Sequence, residues 1–148
     1  MRLIISTVVQ KPLEQVFAGF DKKLFTLLNP PFPFPKANVL RFDGCEKGHE
    51  VHLELSFHGL GTQRWESLIT ASEQTPTRIF FIDEGIKLPF FLKRWKHQHI
   101  LERNADGTTL ITDDITYDAA AWLPNFLLYP ALYLQFAYRK PVYRKVFA

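Results

Sequence analysis

The chain has 148 residues, a formal net charge of +3, a single cysteine, and fourteen Phe, five Tyr and three Trp. That length suits one domain, residues 1–148, whose core needs neither disulfide nor metal. The modest, scattered basic charge excludes a nucleic-acid footprint.

Leu3 to Val9 is a β-branched run that reads as a strand rather than a signal peptide. Pro12 suits the first turn of a short helix carrying Val16, Phe17 and Phe20 on one side. Asp21 can cap a second short helix, Lys22 to Leu28, which Asn29-Pro30-Pro31 stops. The segment Pro30 to Pro35 is a stiff aromatic loop suited to a cavity rim. Six strands follow between turn residues: Ala37–Phe42, Glu50–Phe57, Thr62–Ala71, Arg78–Glu84, Lys93–Arg103 and Thr108–Tyr117. Only Ile86 to Leu92 is a longer break. Cys45 sits in a turn without an internal partner, which points to a reducing, cytoplasmic setting.

Ala119 to Tyr138 is twenty residues without a charge, the length of a membrane span. Pro124, Asn125, Pro130 and Gln135 interrupt it, and the sheet needs covering, so burial against the protein is the expectation and stable membrane insertion is not. The terminal segment reads as one long helix bent at Pro130. Arg139, Lys140, Arg144 and Lys145 near its end complement the helix dipole, and Arg139 is alternatively placed to bind a carboxylate such as Asp83.

The Trp95 to Leu101 strand carries the candidate site. Side chains on a strand repeat with period two, so Trp95, His97, His99 and Leu101 share a face too bulky for solvent and too polar for a dry core. Such a face suits a pocket wall. If the following turn pairs Asn104 with Thr108, His99 falls opposite Asp113 and Trp95 opposite Tyr117; a shift by one residue substitutes Asp114 for Asp113. Imidazoles beside a carboxylate suit acid/base work, with His97, His99, Asp113 and Glu66 as candidates, or form a structural pair. A metal would need a third ligand such as Asp113, Asp83 or Glu66; no compact metal motif and no cofactor signature is present, so neither is expected.

Several phrases together resemble the START-like (SRPBCC) superfamily of lipid-transfer, pollen-allergen and polyketide-cyclase-like proteins, and most of all its small bacterial ligand-binding members. They are Lys11 to Phe17, Arg64-Trp65-Glu66-Ser67-Leu68-Ile69, Ile82-Asp83-Glu84 with Pro89-Phe90, Trp95-Lys96-His97-Gln98-His99, Gly107 to Asp113, Tyr117 and Tyr138-Arg139. Phe17, where that superfamily often has Trp, and the proline-rich loop depart from it. The resemblance implies an α+β helix-grip fold: a seven-stranded antiparallel sheet around a long C-terminal helix, with two short helices after the first strand. It also implies an apolar cavity for a lipid, polyketide or aromatic molecule, but fold analogy selects no reaction.

The ligand-contacting candidates are Trp65, Phe81, Asp83, Phe90, Trp95, His97, His99, Asp113, Tyr117 and Arg139. Three readings follow: a non-enzymatic carrier or sensor of a small hydrophobic molecule; a cyclase, dehydratase or isomerase using His97 or His99 with Asp113 or Glu66; and a membrane or protein docking surface on the uncharged helix.

Overall fold

A computed structural model describes residues 1–148. Strand β1 (Arg2–Val9) leads into α1 (Leu13–Ala18) and α2 (Lys22–Leu27). Strands β2 (Lys36–Phe42), β3 (Glu50–Ser56), β4 (Thr62–Gln74), β5 (Arg78–Lys87), β6 (Leu92–Arg103) and β7 (Thr109–Ala119) follow, then α3 (Asn125–Ala137) and α4 (Arg139–Val146). All seven strands form one antiparallel sheet in the order β1-β7-β6-β5-β4-β3-β2. This is the helix-grip arrangement.

Alternation puts one face of each central strand inside. On β7 every second residue from Thr109 to Ala119 is buried, and β1 buries Leu3, Ile5, Thr7 and Val9. Bulges between β2 and β3, β4 and β5, and β6 and β7 bend the sheet around the helices. At Gly85, beside one bulge, the Leu88 side chain occupies the space a Cβ would need. Asp21 caps α2 by accepting from the Leu24 N–H at 2.9 Å. The Phe147 carbonyl accepts the Gln10 and Lys11 N–H groups at 3.1 and 3.2 Å, tying the end of α4 to the end of β1.

The core has two halves. One gathers Val9, Val16, Phe20, Leu24, Ile69, Ile79, Phe81, Leu101, Ile111 and Tyr143 beneath α1, α2 and α4. The other gathers Leu3, Ile5, Trp65, Trp95, Ile115 and Tyr117 beneath Leu132 and Phe136 of α3. Between them Thr7, Asp113, His97, His99, Asp83 and Ser67 put polar groups across five adjacent strands, all but Asp83 being buried. The sheet's inner face is therefore apolar, polar, apolar along its length.

The C-terminal segment differs from expectation twice. Pro130 lies inside α3, and the interruption falls at Tyr138, which keeps helical backbone angles (φ −58°, ψ −27°). Its cause is Pro141, which has no N–H to offer the Ala137 carbonyl four residues back. Burial is also less complete than expected: α3 deeply buries only Leu132 and Phe136, while Trp122 before it and Phe126, Leu127, Tyr133 and Leu134 within it are exposed. No helix is long and apolar enough to cross a membrane.

Candidate functional site

The polar belt opens onto a half-open cavity of about 130 Å³. Its walls include Trp65, Phe81, Asp83, Trp95, His97, His99 and Arg139, with Phe34 and Pro35 from the proline-rich loop. The Asn104 N–H donates to the Thr108 carbonyl at 2.9 Å, and this turn sets His99 opposite Asp113 and Trp95 opposite Tyr117. Asp114 points outward and pairs with Arg2.

Hydrogen bonding does not follow the register. Asp113 lies opposite His99 yet accepts from His97 Nε2 at 2.8 Å. Asp83 lies opposite His97 yet accepts from His99 Nε2 at 2.8 Å. The two pairs cross because the imidazoles stack at 3.6 Å between centroids and point their Nε2 atoms toward opposite neighbouring strands. Each Nδ1 then faces the other carboxylate at longer range, His97 Nδ1 to Asp83 at 3.6 Å and His99 Nδ1 to Asp113 at 3.8 Å. Because ionised carboxylates only accept, each Nε2 carries the proton.

Aromatic rings enclose this group. Phe81 stacks on His99 at 4.3 Å, Phe20 and Phe25 meet His99 edge-on, and Phe136 meets His97 edge-on at 5.2 Å. Trp95 Nε1 donates to Asp83 at 3.3 Å. From α4, Arg139 donates to Asp113 at 3.3 Å while its guanidinium lies 4.3 Å from the centroid of the Phe136 ring. It reaches Asp113, not Asp83, and its Nε is buried without a partner, as is His99 Nδ1.

Electrostatics follow from enclosure. Burial, then the neighbouring His97, push the His99 imidazole down to about 4, against the opposing pull of Asp83. Burial alone raises the Asp113 carboxyl, but Arg139, the His97 hydrogen bond and both imidazoles outweigh it and bring the group down to about 2. Asp83 is likewise lowered, burial being outweighed by the His99 hydrogen bond and the imidazoles. Two carboxylates and one guanidinium leave the cluster one negative charge in excess, before any charge on the imidazoles.

Other candidates lie elsewhere. Glu66 is on the outer face, paired with Arg64 at 3.0 Å, and Phe90 is exposed, stacked on Trp122 at 6.1 Å. The Tyr117 hydroxyl donates to the Asn125 carbonyl at 2.9 Å, fixing the start of α3. Sequence reasoning missed much of the lining, Phe42, Phe91 and Phe136 included, and two polar members are instructive. Ser67, small and polar on the Trp65–Ile69 face, was legible from alternation. Cys45 was not: its turn folds inward, its Sγ reaches the Phe20 carbonyl at 3.6 Å, and burial pushes its thiol up to about 12.

A curled sheet closed by helices over a lined cavity defines a helix-grip protein with an internal site. No family model matches the chain, and no curated protein does. Solved structures share the fold at low identity. The Ms6760 protein from Mycobacterium smegmatis is 18% identical with a TM-score of 0.64, over 93% of this chain and 84% of that one. Ara h 8.0201 is 16% identical with a TM-score of 0.60, over 97% and 95%. Norcoclaurine synthase from Thalictrum flavum is 11% identical with a TM-score of 0.57, over 96% and 86%.

Proposed function

We propose that the chain, as a single START-like domain of the cytoplasm, binds a small hydrophobic molecule between its sheet and C-terminal helices, as a carrier or sensor. The carrying observation is the half-open aromatic cavity that ends on a charged cluster with two unpartnered donor or acceptor atoms, His99 Nδ1 and Arg139 Nε. A volume of about 130 Å³ is close to that of cavities that hold benzene, so one aromatic ring or the head of a longer lipid or polyketide fits. Trp65, Phe81 and Trp95 supply the apolar walls, and Asp83, His97, His99 and Arg139 the oriented polar end. Asp113 acts through His97 and Arg139. The test is mass spectrometry of small molecules released from purified protein, with displacement of anilinonaphthalene sulfonate as the binding readout. Ser67→Phe, which fills the cavity, is expected to abolish both signals; equal probe binding by a folded Ser67→Phe protein refutes the reading.

A second reading, acid/base catalysis of cyclase, dehydratase or isomerase type, is favoured by the two imidazoles, each with its own carboxylate at 2.8 Å. Turnover of a polyketide-like substrate that survives His97→Gln with His99→Gln removes it. The exposed apolar face of α3 supports peripheral docking on a lipid surface, since Trp122 and Tyr133 are residues of the membrane interface and Ala119 to Tyr138 carries no acidic group. Cosedimentation with anionic vesicles, lost in Trp122→Ser with Leu127→Ser, tests that contact.

A further inference from the structure

Asp83, His97 and His99 each offer one ligand atom, and these atoms lie within 4.8 Å of one another. Asp83 Oδ2 lies 2.8 Å from His99 Nε2 and 3.6 Å from His97 Nδ1. A divalent ion about 2.1 Å from each atom would see those two edges at angles of about 85° and about 120°, and the His97–His99 edge has to close to no more than about 4.2 Å when the ion enters. Those values bracket the tetrahedral angle. We infer that Asp83 Oδ2, His97 Nδ1 and His99 Nε2 form a binding site for a divalent transition-metal ion, with the remaining coordination position open to the cavity.

The surroundings suit such a site. His97 Nε2–H donates to Asp113, which leaves Nδ1 as a lone pair facing Asp83; this is the second-sphere carboxylate that orients metal-bound imidazoles. His99 holds the same tautomer, so its proton sits on Nε2, the nitrogen the ion needs, while its Nδ1 is buried without a partner 3.8 Å from Asp113. Moving that one proton from Nε2 to Nδ1 frees Nε2 for the ion and turns Nδ1–H toward Asp113, 3.8 Å away, a gap that a small shift of the ring has to close for the two to bond. No net proton is gained or lost. Asp113 then becomes the shared outer carboxylate of both ligand imidazoles, held by Arg139.

Charge points the same way. The cluster's single negative excess becomes a single positive one when a divalent ion enters, so the open position favours an anionic oxygen. A small aromatic or polyketide molecule bearing a carboxylate, phenolate or enolate would complete the site. Two nitrogens and one oxygen select Zn²⁺, Fe²⁺ or Co²⁺ over Ca²⁺ or Mg²⁺, which take all-oxygen sets. The ion site needs no organic ligand, so its failure leaves the carrier reading intact.

The test uses chelator-stripped full-length protein titrated with Co²⁺, followed by visible ligand-field absorption, and with Zn²⁺, followed by calorimetry. One ion per chain is expected. Affinity should fall about tenfold or more in Asp83→Asn, and by a similar factor in the outer Asp113→Asn. His52→Ala, on the outer face, should change nothing. Should Asp83→Asn fail to fold, nitrogen NMR of the wild-type imidazoles decides: Zn²⁺ must move the His99 proton from Nε2 to Nδ1 while His97 keeps its own on Nε2. Binding no tighter than about millimolar, retention of affinity in folded Asp83→Asn, or unchanged tautomers overturns the proposal.

Discussion

Replacing Arg139 by Met keeps the stem over Phe136 and removes the one permanent cation paired with Asp113. Asp113 is 2% exposed and lies 3.3 Å from the guanidinium. At an effective dielectric near 20, two unit charges at that separation attract by about 5 kcal/mol. The Asp113 carboxyl sits at about 2 rather than 3.8, equivalent to roughly 2 to 3 kcal/mol after burial's opposing push. The lower figure already contains the desolvation, but the His97 hydrogen bond and both imidazoles share in it, so Arg139 accounts for part of it. Removing one partner of a buried pair typically costs about 3 to 5 kcal/mol, since the other charge is left uncompensated. Arg139→Met and Asp113→Asn should therefore each destabilise by that order, and the double variant by about 2 kcal/mol less than their sum. Urea unfolding at neutral pH measures all four corners of the cycle. Because the pair is buried, added salt should leave the coupling nearly unchanged. Additivity within about 0.5 kcal/mol would refute the reasoning.

Acid should weaken the metal-free protein in two stages. His99 is lowered to about 4 from 6.5, so between those values the unfolded chain binds the proton first and stability falls as pH falls, by about 3 kcal/mol in all. Asp113, lowered to about 2 from 3.8, adds a second loss below pH 3.8. With EDTA present, His99→Gln should flatten the first stage in urea unfolding followed against pH; an unchanged profile contradicts the assignment. Asp21→Ala removes the α2 cap and should cost about 1 kcal/mol in thermal unfolding, with Asp21→Asn nearly neutral. Leu127→Ser, at a site 58% exposed, should leave stability within about 0.5 kcal/mol, whereas Phe136→Ala, 2% exposed, should cost about 3 to 5 kcal/mol.

The sheet was legible because period-two alternation over β6 and β7 and the Asn104–Gly107 turn act locally, and local rules survive folding. That turn also set Asp113 rather than Asp114 facing inward. The crossed bonding was not legible. Register tells which Cα atoms are opposite, but the stacked imidazoles decide which nitrogen reaches which carboxylate, and that depends on rotamers packed against Phe81 and Phe136. Arg139 meeting Asp113 rather than Asp83 depends likewise on how α4 lies across the sheet. The exposed face of α3 was hidden for a different reason. A segment with no charged residue has no polar side from which to read an orientation, so composition suggested burial where geometry leaves half the helix uncovered.

Proline leaves its mark on how fast a guest can come and go. Pro130 and Pro141 withhold hydrogens from the Phe126 and Ala137 carbonyls, so the helical cover lacks two of its own rungs. Leu132 and Phe136 alone anchor α3 deeply, and Phe136 also roofs His97. Within the cover α3 is therefore the weakly anchored part, whereas α4 is held by buried Tyr143, by Phe147 just past it and by the Arg139–Asp113 pair. Residence time inside the cavity is then expected to follow the loosening of α3, and amide exchange along α3 is expected to run ahead of that in β6 and β7.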